Sequence, residues 1–189
     1  MGLDMYLSKK TYVKNWGHMT PDRKHKITVR KGGKIVEEIK PERISEIIET
    51  VAQWRKANAI HNWFVINCQD GVDDCNDYYV SNEQLKELLK TIRLIMKGCK
   101  LVTGMVVNGY GFKKDEKTGK IVKDYNMENG KKMTNPELAE ELLPVLEGCF
   151  FGGTGYDQYY YADLKYTKKI IQALLKEGGD GSYYYQSSW

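Results

Sequence analysis

The chain has 189 residues, 41% of them hydrophobic and 29% charged, with a formal net charge of +4. That length suits one ordinary domain with a real core, and no apolar run approaches the roughly 18 residues a membrane span needs. Met1-Gly2-Leu3-Asp4-Met5 has no basic stretch leading into an apolar one, and Tyr6 stands where a myristoylation motif wants Ser or Thr, so a cytoplasmic protein is expected.

Leu3, Met5 and Leu7 alternate with polar neighbours and predict an opening strand with one face inward. Ile27 to Val36 reads as a hairpin turning at Gly32-Gly33, where both glycines can take positive φ. Pro41 suits the first turn of a helix, and Ile44, Ile48 and Val51 recur at helical spacing, which predicts a long helix fraying near Cys68. An acidic loop, Asp70 to Asp77, leads into a short strand, Tyr78-Tyr79-Val80. Ser81-Asn82-Glu83-Gln84 is a capping box, and Leu85, Leu88, Leu89, Ile92 and Met96 mark the buried face of the helix it opens. Gly98 ends that helix.

Val102 to Phe112 and Lys120 to Tyr125 predict a projecting β-ribbon with a charged turn. Pro136 opens a short helix that Pro144 stops. Cys149 to Asp157 reads as a strand entering a glycine-rich turn, and Asp157 or a neighbour caps a last helix with Leu164, Thr167, Ile170, Ile171 and Leu174 inward. Gly178 to Gly181 then releases a tyrosine-rich tail. The sequence therefore predicts one α+β domain over residues 1–177, antiparallel ribbons packed with about four helices, and a tail over 178–189. Such a tail can cross to a neighbouring copy, which favours a homo-oligomer.

The lysines look dispersed over hairpins and helix faces, too thin a field to argue for duplex nucleic acid but compatible with a small anionic ligand. Cys68 and Cys75 are too far apart for the usual ligand pair, and Cys99 and Cys149 are isolated, so reduced structural thiols and no metal are expected. The aspartates of the acidic loop lack EF-hand spacing. No nucleophile elbow, zinc-protease signature or kinase motif occurs, which weighs against an enzyme. No cofactor is predicted.

Extending the stripe of Ile44, Ile48 and Val51 along a helix leads to Arg55, Asn58 and Asn62, with Trp54 and His61 on one flank and Trp63 on the other. Polar groups on a buried face need partners, supplied either by the protein or by a ligand. An internal network would pair Arg55 with an aspartate of the loop. A ligand site would use Arg55, Asn58 and Asn62 to grip phosphate or a base edge, with rings stacking alongside. The turn Gly152-Gly153-Thr154-Gly155 would offer amides to an anion, with Tyr156 and Tyr159 beside it. It is neither a P-loop nor a dinucleotide fingerprint.

Met1 to Leu7, Trp54 to Val65, the loop through Ser81 and the segment Phe150 to Asp163 together resemble a group of small proteins encoded by bacteriophages and their bacterial hosts. The resemblance implies a setting, the bacterial cytoplasm during infection, where some small phage proteins sequester nucleotide signals of host defence. It implies no residue roles. Three readings follow: a binder of a nucleotide-like anion at Trp54, Arg55, Asn58, His61, Asn62, Gly153, Thr154, Tyr156 and Tyr159; a nucleotide hydrolase or transferase using His61 with Asp70, Asp73 or Asp74; and a protein–protein inhibitor using its tyrosines.

Overall fold

Leu3, Met5 and Leu7 are fully buried while Asp4, Tyr6 and Ser8 are half-buried, the alternation expected of a strand with one face on the core. The computed structural model describes residues 2–148 and 150–189, and β1 spans Asp4–Tyr12. The hairpin turns where predicted: β2 (Arg30–Lys31) pairs with β3 (Lys34–Ile35), with φ of 57° at Gly32 and 82° at Gly33.

The helix predicted from Pro41 does not form. Pro41–Arg43 is a single 3₁₀ turn, Glu46–Arg55 is strand β4, and only Asn58–Cys68 is helical, as α1. Two periodicities compete in this segment. Ile47, Ile48, Thr50 and Val51 are β-branched and favour extended backbone, and Ala52 and Trp54 alternate inward against outward Gln53 and Arg55. Pairing with β1 settles the contest, Met5 lying opposite Trp54 and Leu7 opposite Ala52. The supposed stripe is not one buried face: Ile48 is 60% exposed, while Ile44 and Val51 are half-buried. Lys56, with φ 61°, makes the left-handed step that separates strand from helix.

After α1 come β5 (Tyr78–Val80), α2 (Asn82–Gly98), β6 (Leu101–Lys114), β7 (Ile121–Met133), α3 (Pro136–Leu142), α4 (Gln158–Glu177) and β8 (Ser182–Ser188). Ser81 and Gln84 form both bonds of the capping box, satisfying two backbone donors that the start of a helix otherwise leaves unpaired. Asp157 accepts from the amides of Tyr159 and Tyr160 and caps α4. The strand predicted over 149–157 is absent from the described residues: Phe151 to Gly155 follow an irregular path, and Cys149 lies outside the description.

The tyrosine-rich end is no tail. β8 lies between β1 and β5 in an antiparallel sheet of order β4-β1-β8-β5, with Tyr185 opposite Leu7 on one side and Tyr78 on the other. Tyr183 and Tyr185 face the core, so alternation turned a run of tyrosines into two core residues and an outward Tyr184. With this segment paired inside its own chain, the reason for expecting it to cross to a second copy disappears.

One face of the sheet meets α1, α2 and α4 through a core that includes Trp54, Phe64, Leu88, Ile92, Leu164 and Ile171. The fold is α+β, with four α-helices and antiparallel strands among the described residues. The β6–β7 ribbon forms its own two-stranded sheet, joined to the start of α4 where the Lys131 amide donates to Gln158. Among the described residues, no helix is long and apolar enough to cross a membrane.

Candidate functional site

The predicted site residues divide into three groups. Trp54, His61 and Asn62 are committed to other parts of the protein. The Trp54 indole is 3% exposed and donates 2.8 Å to the Thr167 hydroxyl, fastening β4 to α4. Asn62 donates 3.1 Å to the Pro144 carbonyl and lines a shallow cleft of about 270 Å³ with Trp63, Ile66 and Leu142. That cleft lies between helices, away from the glycine loop.

His61 is fully buried with both ring nitrogens engaged. Burial pushes its imidazole below the ordinary value, opposed by the hydrogen bond and charge of Asp73. The Asp73 carboxylate only accepts, so a neutral ring carries its proton on Nε2 and offers Nδ1 as an acceptor. Burial also keeps Tyr185 protonated, so its hydroxyl donates to Nδ1 at 2.8 Å. Nε2–H then donates to Asp73 Oδ2 at 3.0 Å, and the other oxygen of Asp73 accepts from the Trp189 indole at 3.1 Å. Of the three aspartates paired with His61 in the enzyme reading, the geometry selects Asp73. Yet the chain runs from a buried phenol to a loop carboxylate, with no ring nitrogen left to meet a substrate. It reads as a polar strut joining β8, α1 and the acidic loop.

Tyr156 and Tyr159 are also occupied. The Tyr156 hydroxyl accepts from the Val145 amide at 3.3 Å, and the Tyr159 hydroxyl donates 2.8 Å to Glu128 at the base of the ribbon. They brace the loop from outside and do not stand beside its amides.

The remaining group converges. Asn58, 4% exposed, begins α1 but does not cap it; its amide donates to the carbonyls of Phe151 at 3.2 Å and Gly153 at 2.8 Å. The glycine loop is thereby bolted to the β4–α1 junction. Gly152 makes the approach possible: its φ is 101°, and a Cβ there would lie 2.9 Å from the Lys56 carbonyl oxygen. The carbonyls of Phe151 and Gly153 point inward to Asn58, while the amides of Gly153, Thr154 and Gly155 find no acceptor among the described residues. Those three residues are exposed, as are Arg55 and Lys56 at the junction.

Arg55 is not shielded, contrary to the sequence expectation, because it lies on the strand face opposite Trp54. Its side chain is 70% exposed, and its partner is Asp4 at 3.6 Å, not the acidic loop. Such a pair is weak and readily exchanged for another anion. Two exposed rings adjoin the loop. Trp189 lies 5.9 Å from Phe151, and Phe150 is 62% exposed with φ 65°, a left-handed conformation unusual for an aromatic residue. Lys56, Phe150 and Trp189 were not among the predicted site residues; Trp189 was hidden by its assignment to a tail.

Among the described residues, no group of three or more His, Cys, Asp or Glu is placed to hold a metal ion, and Cys68, Cys75 and Cys99 are free. Comparison with protein-family models, curated proteins and solved structures finds no match to this chain.

Proposed function

We propose that this chain binds a nucleotide-like anion and releases it unchanged. The observation that carries the reading is the Asn58 clamp, which turns two loop carbonyls inward and leaves neighbouring exposed amides without an acceptor among the described residues, with the exposed cations Arg55 and Lys56 at the junction. Backbone amides and a guanidinium are complementary to phosphate, and the exposed rings of Phe150 and Trp189 suit a base. The resemblance to phage-encoded proteins gives the setting of the proposal: a sponge that withholds a host immune nucleotide signal.

His61 gives the enzyme reading little support, because it is enclosed and both nitrogens are spoken for. Incubation with a panel of cyclic and ADP-ribose-type nucleotides, followed by heat denaturation and chromatography, separates the readings. A binder returns its ligand intact. Recovery of a converted product would establish an enzyme instead, and failure to retain any nucleotide would overturn the proposal in favour of a protein-directed role.

A further inference from the structure

The net charge is concentrated in one place. Residues 14–43, which connect β1 to β4, hold nine Lys or Arg against four Asp or Glu, a net of +5 where the whole chain carries +4. Everything else together is therefore slightly acidic: twenty of the 29 cations lie outside the excursion but are balanced there by acids, and the excess of positive charge sits on this one connection. Among the described residues, none of the nine cations makes a salt bridge. All of them except half-buried Lys14 are exposed. Nine cations without an ion-pair partner, and a net of five positive charges on one connection, repel each other, a cost that a polyanion removes.

The excursion has a shape of its own. Asn15 and His25 exchange two hydrogen bonds of 2.8 Å, closing the loop between them, and the β2–β3 hairpin extends beyond it. A shallow cleft of about 300 Å³ opens at the base, lined by Asn15, His25, Lys26 and Ile27 among others. Two aromatic rings stand next to it in the chain. Trp16 is 47% exposed and Tyr12 51%, held together by an indole-to-hydroxyl bond of 3.0 Å, with Lys14 over the indole at 4.8 Å.

We infer that this excursion is a docking surface for single-stranded nucleic acid, its cations meeting phosphates and Trp16 and Tyr12 stacking on unpaired bases. Charge complementarity demands an anionic partner of some length, since the cations are strung along thirty residues and not gathered on one point. The exposed rings select unpaired bases over a duplex, in which base faces are already stacked. This surface is separate from the glycine loop and does not rest on the reading given for it.

Fluorescence anisotropy with the full chain and a labelled single strand of about 20 nucleotides tests the inference. Binding is expected, weakening by roughly tenfold or more between about 50 and 200 mM salt. Reversing the exposed hairpin charges (Arg30→Glu, Lys31→Glu, Lys34→Glu) should weaken it by at least about tenfold. Trp16→Ala should weaken it by about fivefold or more while leaving heparin binding unchanged. Lys86→Ala, an exposed cation of α2 outside both surfaces, should have no effect. No binding at low salt, equal affinity for a duplex of the same length, or indifference to both the hairpin and Trp16 substitutions in variants with unchanged circular dichroism would each overturn the inference.

Discussion

Asn58 and Gly153 are joined by a 2.8 Å hydrogen bond across 95 residues of sequence. Through it the first residue of α1 controls a loop that precedes α4, and the same amide holds the Phe151 carbonyl at 3.2 Å. Asn58→Ala should cost about 1–3 kcal/mol, because it leaves the Phe151 carbonyl without its donor in a buried setting and the Gly153 carbonyl without it in a part-buried one. The accompanying sign is local: limited proteolysis should cut between residues 150 and 156 in the variant and spare the parent. Equal melting temperatures and equal resistance to cleavage would show that the loop holds itself.

Asp73 bridges His61 and Trp189. Asp73→Ala should destabilise the fold by about 1–3 kcal/mol, since a buried imidazole N–H then lacks its acceptor. The Trp189 indole N–H resonance, identified by its disappearance in Trp189→Phe, should exchange faster with solvent in the variant. An unchanged exchange rate would place Trp189 outside the network.

Burial, and after it the charge of Asp157, pushes the Asp163 carboxyl from an ordinary 3.8 up to about 7. A carboxyl whose folded value is raised contributes stability that is complete below its unfolded value and is lost as the pH rises through the folded one. Asp163→Asn removes that loss. The variant should melt higher than the parent at pH 8, with the difference shrinking toward pH 4. Parallel melting curves across that range would exclude a raised carboxyl at this half-buried position.

Deleting 182–189 should abolish folding, because β8 is an interior strand of the four-stranded sheet and carries buried Tyr183 and Tyr185. Circular dichroism of the truncated chain should show neither a native spectrum nor a cooperative melt. A folded truncation would return this segment to the status of a tail.

Local signals in the sequence located most elements. Alternation at Leu3, Met5 and Leu7 gave β1, the glycine pair gave the β2–β3 turn, and the capping box gave α2. The failures share one physical origin, the priority of long-range pairing over local pattern. Glu46–Arg55 carries both a helical and a strand period, and only its pairing with β1 decides between them. Ser182–Ser188 looks like a polar tyrosine run until β1 and β5 flank it. The candidate site was legible in its parts, Arg55, Asn58 and the glycine turn, but not in its arrangement. The helical reading put Arg55 and Asn58 on one buried face, whereas Lys56 breaks the chain between them and sends Arg55 outward. The basic excursion needed only a count by segment.

Arg55 and Lys56 are proposed to grip a phosphate at the glycine loop, and calorimetric titration of the double variant Arg55→Ala, Lys56→Ala measures their share of the binding. The nucleotide used is whichever member of the panel the parent chain retains. Both side chains are exposed, so the melting temperature should stay within a degree or two of the parent's. Charge-assisted bonds of roughly 1.5–3 kcal/mol each make an affinity loss of about a hundredfold or more the expected result. Unchanged affinity in a variant of unchanged stability would rule out this grip and place the ligand elsewhere on the protein.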